Sequence, residues 1–231
     1  SDNPPTIGGS KTHSNLMSFF TQWNYTLKDR YNFSASVRYD ESSKFLGSNK
    51  GAAFWSAGVA WTISNEDFMS RFEKINQLKL RASYGTTGNQ DGISDFGSFN
   101  GYTKTSYNGQ SGYYHSILGN ADLKWETSGQ FDLGMDLRMF DNRLNVSADF
   151  YIKNTQDLLD KKISQTSGFS EIKTNAGSIR NTGIELSISG TPVRTADFEW
   201  NIGANITYNK NQITDLGTWA NADNKFVNGD Y

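Results

Sequence analysis

The chain has 231 residues, 35% hydrophobic and 14% aromatic, with a net charge of −2 and no cysteine. The near-neutral balance excludes nucleic acid as a partner, since phosphate binding needs a basic surplus, and the lack of cysteine excludes a disulfide framework or thiolate metal site. No run of about 18 or more apolar residues exists, so no transmembrane helix is expected, but a β-barrel escapes that test because its strands are half polar.

The opening residues, SDNPPTIGG, are loop-like. From Asn15 to Leu27 apolar residues fall on odd numbers (Met17, Phe19, Trp23, Tyr25, Leu27) and mostly polar ones on even numbers. That is the period of a strand with two unlike faces. Lys28-Asp29-Arg30 is a short turn, although it lacks the glycine that hairpins prefer. Tyr31, Phe33, Ala35, Val37 and Tyr39 continue the odd face, and a polar loop follows at 41–51. A third strand at 53–63 sets Trp55, Ala57, Val59 and Trp61 against the small residues Ser56, Gly58, Ala60 and Thr62.

Residues 64–76 place Phe68, Phe72 and Ile75 at helical spacing. They predict a short helical connection capped by Ser64 or Asn65. Glu66-Asp67 then reads as charge at a helix N-terminus, not as a catalytic acid pair. Leu78, Leu80, Ala82 and Tyr84 mark a fourth strand, and a long loop rich in glycine, asparagine, serine and tyrosine spans 86–122.

The clearest pattern comes next. Phe131, Leu133, Met135, Leu137 and Met139 alternate with Asp132, Gly134, Asp136 and Arg138. After Phe140-Asp141-Asn142-Arg143 the apolar set restarts on even numbers, with Leu144, Val146, Ala148, Phe150 and Ile152. Asp-Asn is turn chemistry, and the parity switch keeps the apolar face continuous if Met139 faces Leu144. A second long loop covers 154–176, then Ile184, Leu186 and Ile188 mark strand seven. Residues 190–197 turn the chain, Phe198, Trp200, Ile202, Ala204, Ile206 and Tyr208 mark strand eight, and 217–231 is loop-like again.

The expected fold is an all-β antiparallel up-and-down meander of about eight strands. Short connections alternate with long ones, so the long loops share one end. Six segments reach the roughly 9–11 residues of a transmembrane strand, and aromatics gather near the strand ends, as in the girdles of an outer-membrane barrel. A soluble, carbohydrate-binding β-sandwich and a structural outer-membrane protein without transport are the alternatives.

INQLKLRASYGTTGNQ, NADLKWETSGQFDLGMDL, DNRLNVSADFYIKNTQDLL and NAGSIRNTGIELSISG, in this order, resemble the SusC/RagA-type TonB-dependent outer-membrane transporters. The resemblance runs from about Phe20 to Leu216. It implies a 22-stranded barrel with an internal plug, in the outer membrane of a Gram-negative, Bacteroides-type bacterium. It further implies work with a SusD-like surface lipoprotein, import of oligosaccharides or peptides, and energy from TonB reached through an N-terminal part. No plug, TonB box or closing strand is recognisable, so residues 1–231 are expected to be part of a longer barrel, with 86–122 and 154–176 as extracellular loops.

Expected lipid-facing residues are Phe131, Leu133, Met135, Leu137, Leu144, Val146, Ala148 and Phe150; expected lumen-facing ones are Asp132, Asp136, Arg138, Asp149 and Lys153. Phe96, Phe99, Tyr102, Tyr107, Tyr113 and Tyr114 are the candidates for solute contact, because tyrosine combines flat contact area with a polar tip. His13 and His115 read as surface residues. Asn89, Asp91 and Asp95 offer oxygen atoms for calcium, at spacing that does not fit an EF-hand. No nucleophile–base constellation is present, and neither catalysis nor a cofactor is expected.

Overall fold

The computed structural model describes residues 11–162, 169 and 172–216, the side chains of 160–162 excepted. The loop-like readings of 1–10 and 217–231 lie outside these residues. Twelve strands follow one another: β1 Leu16–Leu27, β2 Tyr31–Ser42, β3 Gly51–Thr62, β4 Ile75–Asn89, β5 Gly101–Tyr107, β6 Gln110–Ile117, β7 Glu126–Met139, β8 Leu144–Gln156, β9 Leu159–Lys162, β10 Ile172–Asn175, β11 Ser178–Arg194 and β12 Glu199–Asp215. Eight form one antiparallel sheet in the order β1-β2-β3-β4-β7-β8-β11-β12. The remaining four make two separate ribbons, β5-β6 and β9-β10, inside the two long connections. β1 and β12 form the edges of the sheet, without an outer neighbour among the described residues.

The register follows the apolar parity. Met139 pairs with Leu144, Leu137 with Val146, Met135 with Ala148, Leu133 with Phe150 and Phe131 with Ile152. One row can be followed through every strand: Tyr25, Phe33, Val59, Ala82, Leu133, Phe150, Ile184, Tyr208. Because a slip of one residue would flip a strand's side chains to the other face, this pairing gives the sheet one unbroken apolar face. The row starts two residues from the turn in β1 and reaches the middle of β8 and β12. That drift is the stagger of strands tilted as in a barrel wall.

Tight turns close one end. Phe140, Asp141 and Asn142 all take positive φ (58°, 57° and 61°), as do Lys28 and Asp29 (both 53°). The Asp-Asn pair tolerates this conformation, whereas the lysine and phenylalanine take it without that help. The third connection is not an α-helix but two 3₁₀ turns, Ile63–Asn65 and Asp67–Arg71, broken by extended backbone at Glu66. Neither Ser64 nor Asn65 caps it; Asn65 instead donates from Nδ2 to the Asp29 carbonyl at 2.7 Å. The last turn is tighter than residues 190–197 suggested, since β11 continues to Arg194 and the chain reverses at Thr195–Phe198.

The only clustered core among the described residues caps the opposite end: Phe45, Phe54, Ile93, Leu123 and Trp125. Phe45 and Trp125 rings lie 5.1 Å apart, and Phe54 meets Trp125 edge-on at 5.9 Å. Gly88 lies against the Phe54 ring, where any side chain would collide. By contrast, the large apolar side chains of the sheet point outward, with Val59 and Ile184 each more than half exposed.

Candidate functional site: the polar face and the long-loop end

The polar face has its own row: Thr26, Asn32, Ala60, Arg81, Gly134, Asp149, Glu185, Thr207. Arg81 on β4 crosses over β7 at Gly134. Its Nε donates to Asp136 Oδ2 at 2.9 Å and its Nη2 to Asp149 Oδ1 on β8, also at 2.9 Å. Ser147 Oγ donates to both carboxylates at 3.2 Å. The missing side chain at Gly134 makes the crossing possible, because a Cβ there would stand 2.5 Å from Asp149 Oδ1 and 2.7 Å from Arg81 Cζ. Tyr151 repeats the device: it passes over Gly183, and its hydroxyl donates to Asn209 Oδ1 at 3.2 Å.

Of the five charged residues singled out on this face, Asp136 and Asp149 join the cluster through Arg81, which strand parity puts on the same face. Asp132 accepts from Gln130 Nε2 at 2.7 Å. Arg138 and Lys153 make no ion pair among the described residues.

Toward the long-loop end the polar face opens into a concavity of about 390 Å³. Arg38, Asp40, Ser36, Ser56, Asn89 and Trp125 are among its lining residues. Arg38 Nε donates to the buried Asp40 at 2.6 Å, and Trp125 Nε1 donates to the Lys50 carbonyl at 3.1 Å. Even parity on β2 was the signal for Arg38 and Asp40. Nothing periodic marks Trp125, which precedes its strand.

The loops above are tied to one another. Asn175 Nδ2 donates to the Lys124 and Asp157 carbonyls at 2.8 and 2.9 Å, and Asn120 Nδ2 to the Lys173 carbonyl at 3.0 Å. The segment 86–122 is not one irregular loop: β4 runs on to Asn89, and the β5-β6 ribbon projects from the rest. Its turn is Asn108-Gly109, both at positive φ (47° and 77°). Asn-Gly is the strongest short-range hairpin signal, so the ribbon was legible there.

The six candidate aromatics are not gathered on one surface. Phe96 and Phe99 pair edge-on before the ribbon, with ring centroids 6.4 Å apart. Cross-strand pairing puts Tyr102, Lys104, Tyr113 and His115 on one face of the ribbon, and Tyr107 and Tyr114 on the other. Tyr107 and Tyr113 are the most exposed of them, at 86% and 74%. His115 is not a free surface residue. Its ring stacks on Tyr102 at 4.9 Å and meets Phe169 edge-on at 5.0 Å, and its Nε2 is shielded without a hydrogen-bond partner.

Two of the three calcium candidates are joined to each other, and the third is held elsewhere. Asn89 Oδ1 accepts from the Asp91 backbone N–H at 2.9 Å, and Asn89 Nδ2 donates to Glu126 at 3.2 Å. Hydrogen bonds from Thr12 and Ser14, with Lys44 and His13 nearby, hold the Asp95 carboxyl below its usual range. Among the described residues no group of three His, Asp or Glu side chains is placed to hold a metal.

At the turn end, Glu66 is the hub. It accepts from Arg30 Nη1 at 2.8 Å, Tyr31 Oη at 2.7 Å and Trp61 Nε1 at 2.9 Å. The hydrogen bonds from Tyr31 and Trp61 lead the causes that hold its carboxyl below the usual range. These contacts clip the 3₁₀ connection to β2 and β3.

Comparison with known proteins accounts for this architecture. The model of the TonB dependent receptor-like β-barrel matches residues 1–230. TonB-dependent receptor P39 of Formosa agariphila is 42% identical over 216 residues, which is 93% of this chain and 21% of that protein. TonB-dependent receptor SusC of Bacteroides thetaiotaomicron is 35% identical, over 89% of this chain and 21% of its own length. The solved RagAB peptide transporter superposes with a TM-score of 0.83 at 36% identity, covering 88% of this chain and 23% of that one. A siderophore receptor, PirA of Pseudomonas aeruginosa, shares the fold at 15% identity and a TM-score of 0.57. The chain thus spans about a fifth of the length of the curated relatives it matches. A two-faced antiparallel meander, short turns at one end and ribbon-bearing loops at the other are the wall of such a receptor, and the chain belongs to the TonB-dependent receptor-like β-barrel family.

Proposed function

We propose that these residues form a stretch of the barrel wall of an outer-membrane importer, with the apolar face in lipid and the polar face toward the lumen. The carrying observation is the apolar row that continues through all eight strands. Soluble monomers rarely expose a contiguous apolar patch beyond a few hundred Å², and each apolar Å² left in water forgoes about 25 cal/mol. Lipid removes that cost over the whole face at once.

In this reading Phe131, Leu133, Met135, Leu137, Leu144, Val146, Ala148 and Phe150 meet lipid, while Asp132, Asp136, Arg138, Asp149 and Lys153 meet the lumen. The ribbon-bearing loops stand outside the cell, where a SusD-like lipoprotein closes over them. The solute is an oligosaccharide or peptide, and TonB supplies the energy through another part of the protein. Exposed tyrosines on the ribbon and the Arg38–Asp40 concavity of the polar face fit a solute with flat faces and many polar groups.

The test is uptake by the full-length receptor in its host, with oligosaccharide and peptide pools offered separately. Tyr102→Ala with Tyr113→Ala is expected to reduce uptake of one pool by about tenfold, since a lost aromatic contact of roughly 1.4 kcal/mol is a factor of ten. Unchanged uptake of both pools would remove the ribbon from the solute path.

A further inference from the structure

One feature of the apolar face does not belong to a smooth wall. At the turn end, Gly190 sits between Leu144 and Ile202 in one row, and Ile188 lies between Val146 and Ala204 in the next. The absent side chain at Gly190 and the small one at Ala204 leave a groove of about 530 Å³. This is within the roughly 300–1,000 Å³ of small-molecule sites. Phe140, Pro192 and Ile202 are among its walls, and Arg143 belongs to the lining where the sheet meets the turn. A side chain at Gly190 would close the groove at its base, since a Cβ there would press on the Arg143 carbonyl at 3.1 Å and touch Leu144 Cδ1 at 3.9 Å.

The charge at this rim is free. Arg194, on the same end, is spent on Glu199, with Nε to Oε2 at 2.9 Å. Arg143 is exposed and makes no ion pair among the described residues. An apolar groove that ends at an unpaired guanidinium is complementary to a molecule with an acyl chain and a phosphate. Arginine binds phosphate with two parallel hydrogen bonds, and basic rims beside apolar surface are how membrane proteins hold lipid head groups.

We propose that this groove is a site for one phospholipid of the leaflet at the short-turn end. One acyl chain lies over Gly190 between Leu144 and Ile202, and the phosphate sits on Arg143. The site rests on the lipid-facing reading of the apolar face. The bound lipid fills a dent that would otherwise lack contacts on one side, and it fixes the position of the β11–β12 corner.

The test uses the full-length receptor, reconstituted in vesicles of phosphatidylethanolamine and phosphatidylglycerol, extracted in mild detergent and weighed by native mass spectrometry. The expected result is one phospholipid retained per receptor after repeated washing. Retention should fall about tenfold in Arg143→Gln, which removes the charge-assisted bond, and likewise in Ala204→Trp, which fills the groove. Arg194→Gln should retain lipid as the parent does. Equal retention in all three variants, a receptor that carries no lipid, or a second protein in place of lipid would overturn the site. Should Ala204→Trp not insert, Arg143→Gln still decides. A bimane label at Ile184→Cys separates the two levels: quenching by brominated lipid without retained lipid refutes the groove alone, and no quenching refutes the lipid-facing reading beneath it.

Discussion

Gly134 shows how much a missing side chain can do. Arg81 reaches Asp149 across an entire strand only because β7 presents no Cβ at the crossing. The three partners are each about a third exposed, at 39%, 32% and 36%, so solvent screens them and the bridge is worth roughly 0.2–1 kcal/mol. Gly134→Val in the full-length receptor is therefore expected to lower unfolding stability in urea by about that much. The diagnostic feature is coupling: Arg81→Met and Gly134→Val together should cost little more than either alone, because both remove the same bridge. Additive losses would mean that the glycine serves the backbone and not the arginine. The sequence displayed Asp136 and Asp149 through parity, but not Arg81's reach, since that depends on which residues of three strands become neighbours.

Elements were legible in proportion to how unlike their two faces are. β7 and β8 alternate strictly and their register could be written down residue by residue, with the Asp-Asn turn as the pin. Sequence pattern marks β11 only in its apolar middle, and β12 from its start to about Asn209. They run to Ser178 and Asp215, through Arg180, Asn181, Asn209 and Asn211, where both faces are polar and the period of two disappears. The β5-β6 ribbon has no buried face at all, so alternation was absent and only Asn108-Gly109 betrayed it.

Phe68 and Phe72 are spaced like the buried stripe of a helix, but the connection is 3₁₀ and both are about half exposed, at 53% and 51%. What holds the connection is Glu66, whose ordinary value is 4.5 and whose folded-state value lies lower. As the pH falls, the unfolded chain takes up the proton first. The stabilisation is thus full above 4.5 and is lost as pH falls through the lowered folded value. Unfolding midpoints of the parent and Glu66→Gln, compared from neutral pH to about pH 3, should differ by a constant amount until below 4.5 and then converge. Convergence already near neutral pH would show that the carboxylate is not the clip.

Across the whole sheet the large apolar residues of the strands point outside, and the one clustered core among the described residues sits at the loop end. Such an arrangement is stable only if something apolar covers the outer face and something continues the edges at β1 and β12, because unpaired edges are not tolerated in lipid. Fold class and strand order follow from sequence pattern, and the family from the resemblance of the motifs in β4, β7, β8 and β11. The tied loop end does not, since Phe45, Ile93, Leu123 and Trp125 come from separate irregular segments and share no period.

Spin labels placed one at a time along Phe131–Met139 of the full-length receptor in vesicles show whether parity on this sheet divides lipid from water. Labels at Phe131, Leu133, Met135 and Leu137 are expected to collide with lipid-dissolved oxygen. Labels at Asp132, Gly134, Asp136 and Arg138 should collide instead with a water-soluble nickel chelate, in strict alternation. Labels that meet water on both faces, or no alternation at all, would contradict that division.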